Sequence, residues 1–271
     1  MLIDSHCHIN SEELRADAEA LVLRAAGAGV GRILLVGCDL ENSLEAVQMA
    51  HRFADRGAWA CTGIHPHEAS RFADGLPDAL LELAGDDRVC ALGEMGVDYY
   101  YDLSPHEVQR EVFRRQLEWA AEADMPVVLH VREARQEEGS GGAMEDALAI
   151  LGDFPGLRLL FHCYSGGLKY LDEVLSRGAL CALGGAATWK GRGSDALREV
   201  LQRVPEDRLL LETDCPWMAP APFRGKLNEP SWVARVYETA AQVRGVSVDV
   251  LARQVAHTAA RFFNWGEEDH V

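Results

Sequence analysis

The sequence predicts an α/β fold, and within that class a (β/α)8 TIM-like barrel, read as one domain over residues 1–271. Two observations carry this. Eight short apolar runs are each followed by a segment of helical periodicity, the pattern of parallel β/α units. The 271 residues suit eight such units, and no linker or internal repeat divides them. An open doubly wound sheet is the alternative. Its nucleotide fingerprint is missing, because Gly27-Ala28-Gly29-Val30-Gly31 precedes a strand instead of following one.

The first strand, Met1-Leu2-Ile3, runs into Asp4-Ser5-His6-Cys7-His8. Strand side chains alternate between faces, so His6 and His8 share one face and Cys7 takes the other. Helical pattern covers 12–28, and 33–36 is a buried strand. A helix over 42–54 leads to strand three at 58–62, which ends in Gly63-Ile64-His65-Pro66-His67. A helix around 77–83 precedes strand four at 89–92, ending in Gly93-Glu94. The amphipathic helix 105–123 turns Val112, Leu117 and Ala120 inward, and strand five at 127–129 ends in His130. Helix 142–151 precedes strand six at 157–161, ending in His162; helix 171–176 precedes strand seven at 179–183. Helix 194–203 leads to strand eight at 209–211, ending in Glu212-Thr213-Asp214, and helices over 231–244 and 248–262 close the chain.

The net charge of −17 and the three lysines, Lys169, Lys190 and Lys226, argue against a broad electrostatic nucleic-acid surface. They leave room for a nucleic-acid substrate whose charge is met locally by metal ions. No apolar run reaches membrane-span length, and the N-terminus opens into a strand without a signal-like segment, so a cytoplasmic protein that does not enter a membrane is expected. Seven cysteines form no C-x-x-C and are expected as free, mostly buried thiols in a reducing compartment. Cys7 and Cys163 neighbour candidate ligands, but strand alternation would point them away.

The strand ends carry the chemistry. Strand one ends in His6 and His8, strand three in His65, strand four in Glu94, strand five in His130, strand six in His162 and strand eight in Asp214. Barrel active sites form at the C-terminal ends of the strands. Any one of these could be a satisfied polar group; six or seven on one rim point to a shared cation. Strands one and eight meet when a barrel closes, which groups His6, His8 and Asp214. Strands five and six group His130 and His162. Glu94 could bridge two ions through its two oxygens, and His65 stays open as a further ligand. Mixed nitrogen and oxygen ligation suits zinc, manganese, cobalt, nickel or magnesium without choosing among them.

These motifs resemble those of the TatD family of metal-dependent deoxyribonucleases, in the amidohydrolase superfamily. The similarity runs from Asp4 to about Phe263. It covers Asp4-Ser5-His6-Cys7-His8, Gly63-Ile64-His65-Pro66-His67, Gly93-Glu94-Met95-Gly96-Val97-Asp98-Tyr99-Tyr100, His130-Val131-Arg132-Glu133-Ala134 and Phe161-His162-Cys163-Tyr164-Ser165-Gly166. Glu212-Thr213-Asp214-Cys215-Pro216-Trp217, with Arg224-Gly225-Lys226-Leu227-Asn228-Glu229-Pro230, completes it. The resemblance implies a barrel holding two divalent cations and hydrolysing phosphodiester bonds in DNA. His6, His8, Glu94, His130, His162 and Asp214 would ligate metal, and His65 would approach the substrate. Three departures stand out. The chain inserts 136–142 on the active rim, and His257-Thr258 replaces an Asn-Thr pair. No lysine lies near strand four to be the carboxylated bridge of the carbonyl-hydrolysing amidohydrolases, so Glu94 must serve.

Arg132 could clamp a phosphate, or pair with Glu133 or Glu212. Arg224 and Lys226 flank Gly225 in the loop after strand eight, on the active rim, where the backbone can approach a ligand closely, and are expected to contact phosphate rather than form a merely solvated loop. Tyr99-Tyr100-Tyr101 could stack a base or cover the barrel mouth. The expected function is a two-metal phosphodiesterase acting on DNA from the 3′ end, with Glu94 and Asp214 carrying catalysis, in a monomer. The alternatives are a metal-dependent ester or amide hydrolase, such as a deacylase of mischarged tRNA, and a non-catalytic metal-binding scaffold.

Overall fold

The computed structural model describes residues 1–134 and 142–265, so all of the rim insertion except Gly142 lies outside the described residues. Eight parallel strands run in chain order: β1 (Leu2–Cys7), β2 (Val30–Val36), β3 (Ala58–Thr62), β4 (Val89–Asp98), β5 (Val127–Arg132), β6 (Leu159–Phe161), β7 (Leu180–Leu183) and β8 (Leu209–Leu211). The helices α1 (Ala18–Gly27), α2 (Leu40–Arg52), α3 (Asp78–Glu82), α4 (His106–Ala123), α5 (Ala143–Leu151), α6 (Gly167–Ser176), α7 (Arg192–Arg203), α8 (Val233–Arg244) and α9 (Val248–Phe263) interleave with them. No described helix is long and apolar enough to cross a membrane.

The first and eighth strands close the cylinder. The Asp214 amide donates to His6 O (2.9 Å), and the His8 amide donates to Cys215 O (2.8 Å). Lower down, side chains replace the ladder. Ser5 Oγ donates to Leu211 O (3.1 Å), and the Thr213 amide donates to Asp4 Oδ1 (2.8 Å). The Tyr237 hydroxyl of α8, fully buried, accepts from the Ile3 amide (3.1 Å) and donates to Ile3 O (3.2 Å).

Strand four runs six residues beyond the expected 89–92. Its second half pairs with β5, Met95 opposite Leu129 and Asp98 opposite Arg132. Two glycines and a carboxylate look like a strand end, yet here the glycines permit the pairing. A Cβ on Gly93 would lie 2.4 Å from Val128 O, and one on Gly96 would lie 2.0 Å from His130 O. Both residues have strongly positive φ, +140° and +146°. Helix α1 starts later than expected, at Ala18, because a short 3-10 turn (Arg15–Asp17) precedes it.

Helix α4 buries the predicted Val112, Leu117 and Ala120, and also two glutamines one heptad apart. Each glutamine does for a strand end what a neighbouring strand would do. The Ile64 amide donates to Gln116 Oε1 (2.7 Å), and Gln116 Nε2 donates to Ile64 O (3.0 Å). The Asp98 amide donates to Gln109 Oε1 (2.7 Å), and Gln109 Nε2 donates to Asp98 O (3.1 Å). Buried backbone polar groups need such partners. One helix face therefore holds the residue before His65 and the last residue of β4.

Tyr237→Phe should show how far closure depends on the phenol. It leaves the Ile3 amide and carbonyl unpaired in the core, at a cost of about 1–3 kcal/mol. The melting temperature should fall by about 2–4 °C per kcal/mol. An unchanged calorimetric melting temperature would show that the β1–β8 seam holds without Tyr237.

Candidate metal centre

At the C-terminal mouth the predicted donors converge into two sets around one carboxylate. Strand alternation turns His6 and His8 to the same side, as expected, and Cys7 away, its Sγ 3.3 Å from Leu34 O. His6 Nε2 and His8 Nε2 lie 3.1 Å apart. Glu94 Oε1 is 3.7 Å from the first and 3.3 Å from the second, and Asp214 Oδ1 is 3.9 and 3.6 Å from them. The other Glu94 oxygen faces the other set. Oε2 lies 3.1 Å from His130 Nδ1 and 2.9 Å from His162 Nε2, and those two nitrogens are 3.1 Å apart. His65 stands outside both, its Nε2 4.0 Å from Glu94 Oε2.

Outer partners orient the rings. His8 Nδ1 donates to Val36 O (3.1 Å), which leaves Nε2 with its lone pair aimed into the first set. His130 Nε2 donates to Asp98 Oδ2 (3.1 Å), which leaves Nδ1 aimed into the second. Asp98 also accepts from His67 Nε2 (3.0 Å) and, on its other oxygen, from the amides of Tyr100 and Tyr101. His6 and His162 stack, with ring centroids 3.8 Å apart. In each set two ring nitrogens face each other at 3.1 Å, an arrangement that needs a proton or a cation between them. Imidazoles and carboxylates, with the Cys38 sulfur at the edge of the first set, suit a divalent transition metal. The donor chemistry therefore fits metal in both sets.

Electrostatics agree. Burial alone would raise the Glu94 carboxyl, but the surrounding imidazoles, His162 foremost, hold it well below the usual carboxylate range. Burial would lower His162, yet Glu94 and Glu212 outweigh it and raise it well above its ordinary value. His65 behaves differently. Burial and the adjacent His130 hold it well below the imidazole range, so it faces the centre as a neutral ring.

A cleft of about 460 Å³ opens over the centre. Its lining includes His65, Glu94, His130, His162 and Asp214, with Arg132, Tyr101 and Trp217 on its walls. Arg132 does not pair with Glu133 or Glu212 in the way considered above. Glu133 accepts the first amides of α5, from Gly142, Ala143 and Met144, and Glu212 accepts the Cys163 amide (2.6 Å). The Arg132 guanidinium lies over Tyr100 and Tyr101, 4.2 and 4.9 Å from their ring centroids. Tyr99 turns away, its hydroxyl donating to Asp146 (2.6 Å). Arg224 and Lys226 sit on the exposed loop after β8, outside the cleft lining, Arg224 over the Trp189 ring (4.4 Å).

Cys163 departs from expectation. Strand β6 ends at Phe161, so alternation does not apply, and Cys163 (φ +43°) lines an adjoining cavity of about 250 Å³. Two partners went unseen in the sequence. Asp98 lies four residues past Glu94 on one strand, an even spacing that puts both on one face and could have revealed it. Cys38, just beyond β2, brings Sγ within 3.7 Å of Glu94 Oε1, whereas the carboxylate next to it, Asp39, caps α2 by accepting the Asn42 amide; a cysteine in an apolar run reads as a buried free thiol.

A (β/α)8 barrel with imidazole and carboxylate donors at its strand ends defines a metal-dependent hydrolase class. Comparison with known proteins gives the family. The family described as TatD related DNase matches residues 3–264. The "uncharacterized metal-dependent hydrolase YabD" of Bacillus subtilis is 35% identical over 97% of this chain and 99% of its own length. A "3'-5' ssDNA/RNA exonuclease TatD" of Pantoea ananatis is also 35% identical, over 97% and 99%. The crystal structure of the Escherichia coli TatD homolog YJJV superposes with a TM-score of 0.82 at 29% identity, covering 98% of both chains. The chain belongs to the TatD family of metal-dependent hydrolases, enzymes that act on ester bonds.

Asp98→Asn tests the outer partners. The amide can no longer accept from both His67 and His130, so His130 loses its fixed tautomer. Affinity for one divalent ion should fall by about 10–100-fold, with the other ion retained, in a calorimetric zinc titration of metal-stripped protein. Two undiminished binding steps would show that Asp98 does not orient the ligand.

Proposed function

We propose that this protein is a two-metal phosphodiesterase that removes nucleotides from the 3′ end of DNA. One observation carries the reading: Glu94 divides its two oxygens between two donor sets, the arrangement a bridging carboxylate requires. His6, His8 and Asp214 would hold one cation, His130 and His162 the other. Bound divalent cations in such a pair supply Lewis acidity to a phosphoryl oxygen and lower the pKa of water.

The chain's own residues do the rest. Asp214 is the least buried of the donor carboxylates, its side chain 14% exposed against 4% for Glu94, so it reaches the cleft. It takes the proton of the attacking water. His65 is neutral and beside the centre, and it orients the phosphate through Nε2. Arg132 adds positive charge at the cleft wall, while Arg224 and Lys226 meet phosphates of the strand beyond it. The family assignment and the nuclease names of relatives support nucleic acid as the substrate.

The decisive assay uses metal-stripped protein, reconstituted ion by ion, on single-stranded DNA labelled at either end and on an aminoacyl ester. Stepwise loss of nucleotides from the 3′ end is the expected result. Hydrolysis of the ester alone would overturn the phosphodiesterase reading.

Two further outcomes follow. Elemental analysis of loaded protein should find close to two divalent ions per chain, and Glu94→Gln should lose more activity than His8→Ala because it disturbs both donor sets. Equal residual activities would count against a bridge. Arg224→Ala and Lys226→Ala should each weaken DNA turnover and reduce its salt slope by about one unit. Normal cleavage by both variants would place the phosphate contacts elsewhere.

A further inference from the structure

We propose that Trp217 and Tyr101 form a stacking clamp that takes unpaired bases on either side of the scissile phosphodiester. The inference rests on the nuclease reading of the site and names what that site recognises: single-stranded nucleic acid, held by its bases more than by its charge.

Position comes first. Both rings line the cleft over the donor centre, one on each flank. Trp217, on the loop after β8, stands edge-on to His8 with centroids 5.2 Å apart, beside the set built from His6, His8 and Asp214. Tyr101, on the loop after β4, stands edge-on to His67 at 5.4 Å, on the side of Asp98 and His130. A phosphate at the centre would thus have one aromatic ring beside the first donor set and the other beside the second.

Exposure is the second observation. Trp217 and Tyr101 are 51% and 50% exposed, and among the described residues the other Phe, Tyr and Trp rings are buried or half-buried. Half-open aromatic rings in a cleft wall signal a ligand more readily than scattered exposed apolar residues do. Tyr101 is also held in place, because the Arg132 guanidinium lies over its ring.

Charge is the third. A polyanion gains little from a protein of net charge −17. Among the described residues lining the cleft, Arg132 is the one arginine or lysine. Affinity must therefore come from contacts that do not depend on counterion release. Base–aromatic stacking is such a contact, tolerant of sequence because every base has a π-face. It also discriminates. A base inside a duplex is already stacked and paired, so it cannot offer a free face to either ring. A cleft of about 460 Å³ matches a ligand of small-molecule size and not a duplex end.

The test measures KM and kcat of metal-loaded protein on oligothymidylate and on the same strand carrying an abasic residue at one or the other of the two 3′-terminal positions. The abasic substrates need no mutant: the wild type should show a KM raised by about tenfold at each position. Trp217→Ala should raise KM on the intact strand by a similar factor and Tyr101→Ala likewise, with most of the loss restored by Trp217→Phe. Each alanine variant should lose nothing more when the base at its own position is removed, and its salt slope should stay at the shallow wild-type value, because stacking releases no counterions. Unchanged KM for the abasic strands, or losses that multiply when mutation and abasic residue are combined, would overturn the clamp. Failure of the nuclease reading would look different: no strand would be cut, with or without its bases.

Discussion

The structure depends on one costly arrangement, a glutamate almost wholly excluded from water with four imidazoles packed round it. Glu94 is 3% exposed. An ionised carboxylate in such a place is tolerated only when its charge is matched. Here each oxygen has its own pair of ring nitrogens, at 3.3 and 3.7 Å on one side and 2.9 and 3.1 Å on the other. The cluster is held by four strands, β1, β4, β5 and β6, that would gain nothing from meeting there on packing grounds alone. Core leucines and valines beneath the centre supply the folding energy; the centre draws on it.

The surrounding devices serve that arrangement. Gly93 and Gly96 let β4 run close enough to β5 for Glu94 Oε2 to reach His130 Nδ1 (3.1 Å), since a Cβ at either position would strike backbone. Closure of β1 on β8 brings Asp214 beside His6 and His8 through two main-chain bonds. Gln109 and Gln116 hold the ends of β4 and β3 from outside the barrel. Asn228 then ties the loop after β8 back to it, donating to Thr213 O and Trp217 O, which keeps Trp217 at the rim. Catalytic geometry here is mostly backbone geometry, held by buried amides that satisfy strand ends.

Much of this was legible in the sequence. Eight apolar runs marked the strands because parallel strands are buried on both faces, and their ends marked the donors because barrel sites form there. His6 and His8 followed from alternation alone. What escaped notice lay where one rule hid another. The length of β4 was masked by its glycines, which end most strands but permit close pairing in this one. Asp98 was missed because the strand seemed to have stopped. Cys38 reads as one more buried thiol, and the carboxylate beside it, Asp39, is spent on capping α2. The fate of Arg132 was beyond any pattern, since Glu133 and Arg132 are chain neighbours and only the fold shows that one caps α5 while the other stacks on tyrosines.

The acidic balance of the chain bears on how it meets a polyanion. Glu94, Asp98 and Asp214 all line the cleft, and Glu212 lies directly beneath it, 3.7 Å from His162. A phosphodiester approaching this mouth would meet carboxylates at close range with one arginine to offset them. Divalent cations are the largest local charges in such sites and invert their sign. In a metal-dependent hydrolase with this lining, the cations would therefore have two functions: they activate the reaction, and they make the mouth attractive to phosphate at all. Binding of substrate becomes conditional on metal loading, and long-range steering contributes little, because the protein's overall field opposes it. Short-range contacts must then supply selectivity, which is why the aromatic rings at the rim matter more here than they would on a basic protein.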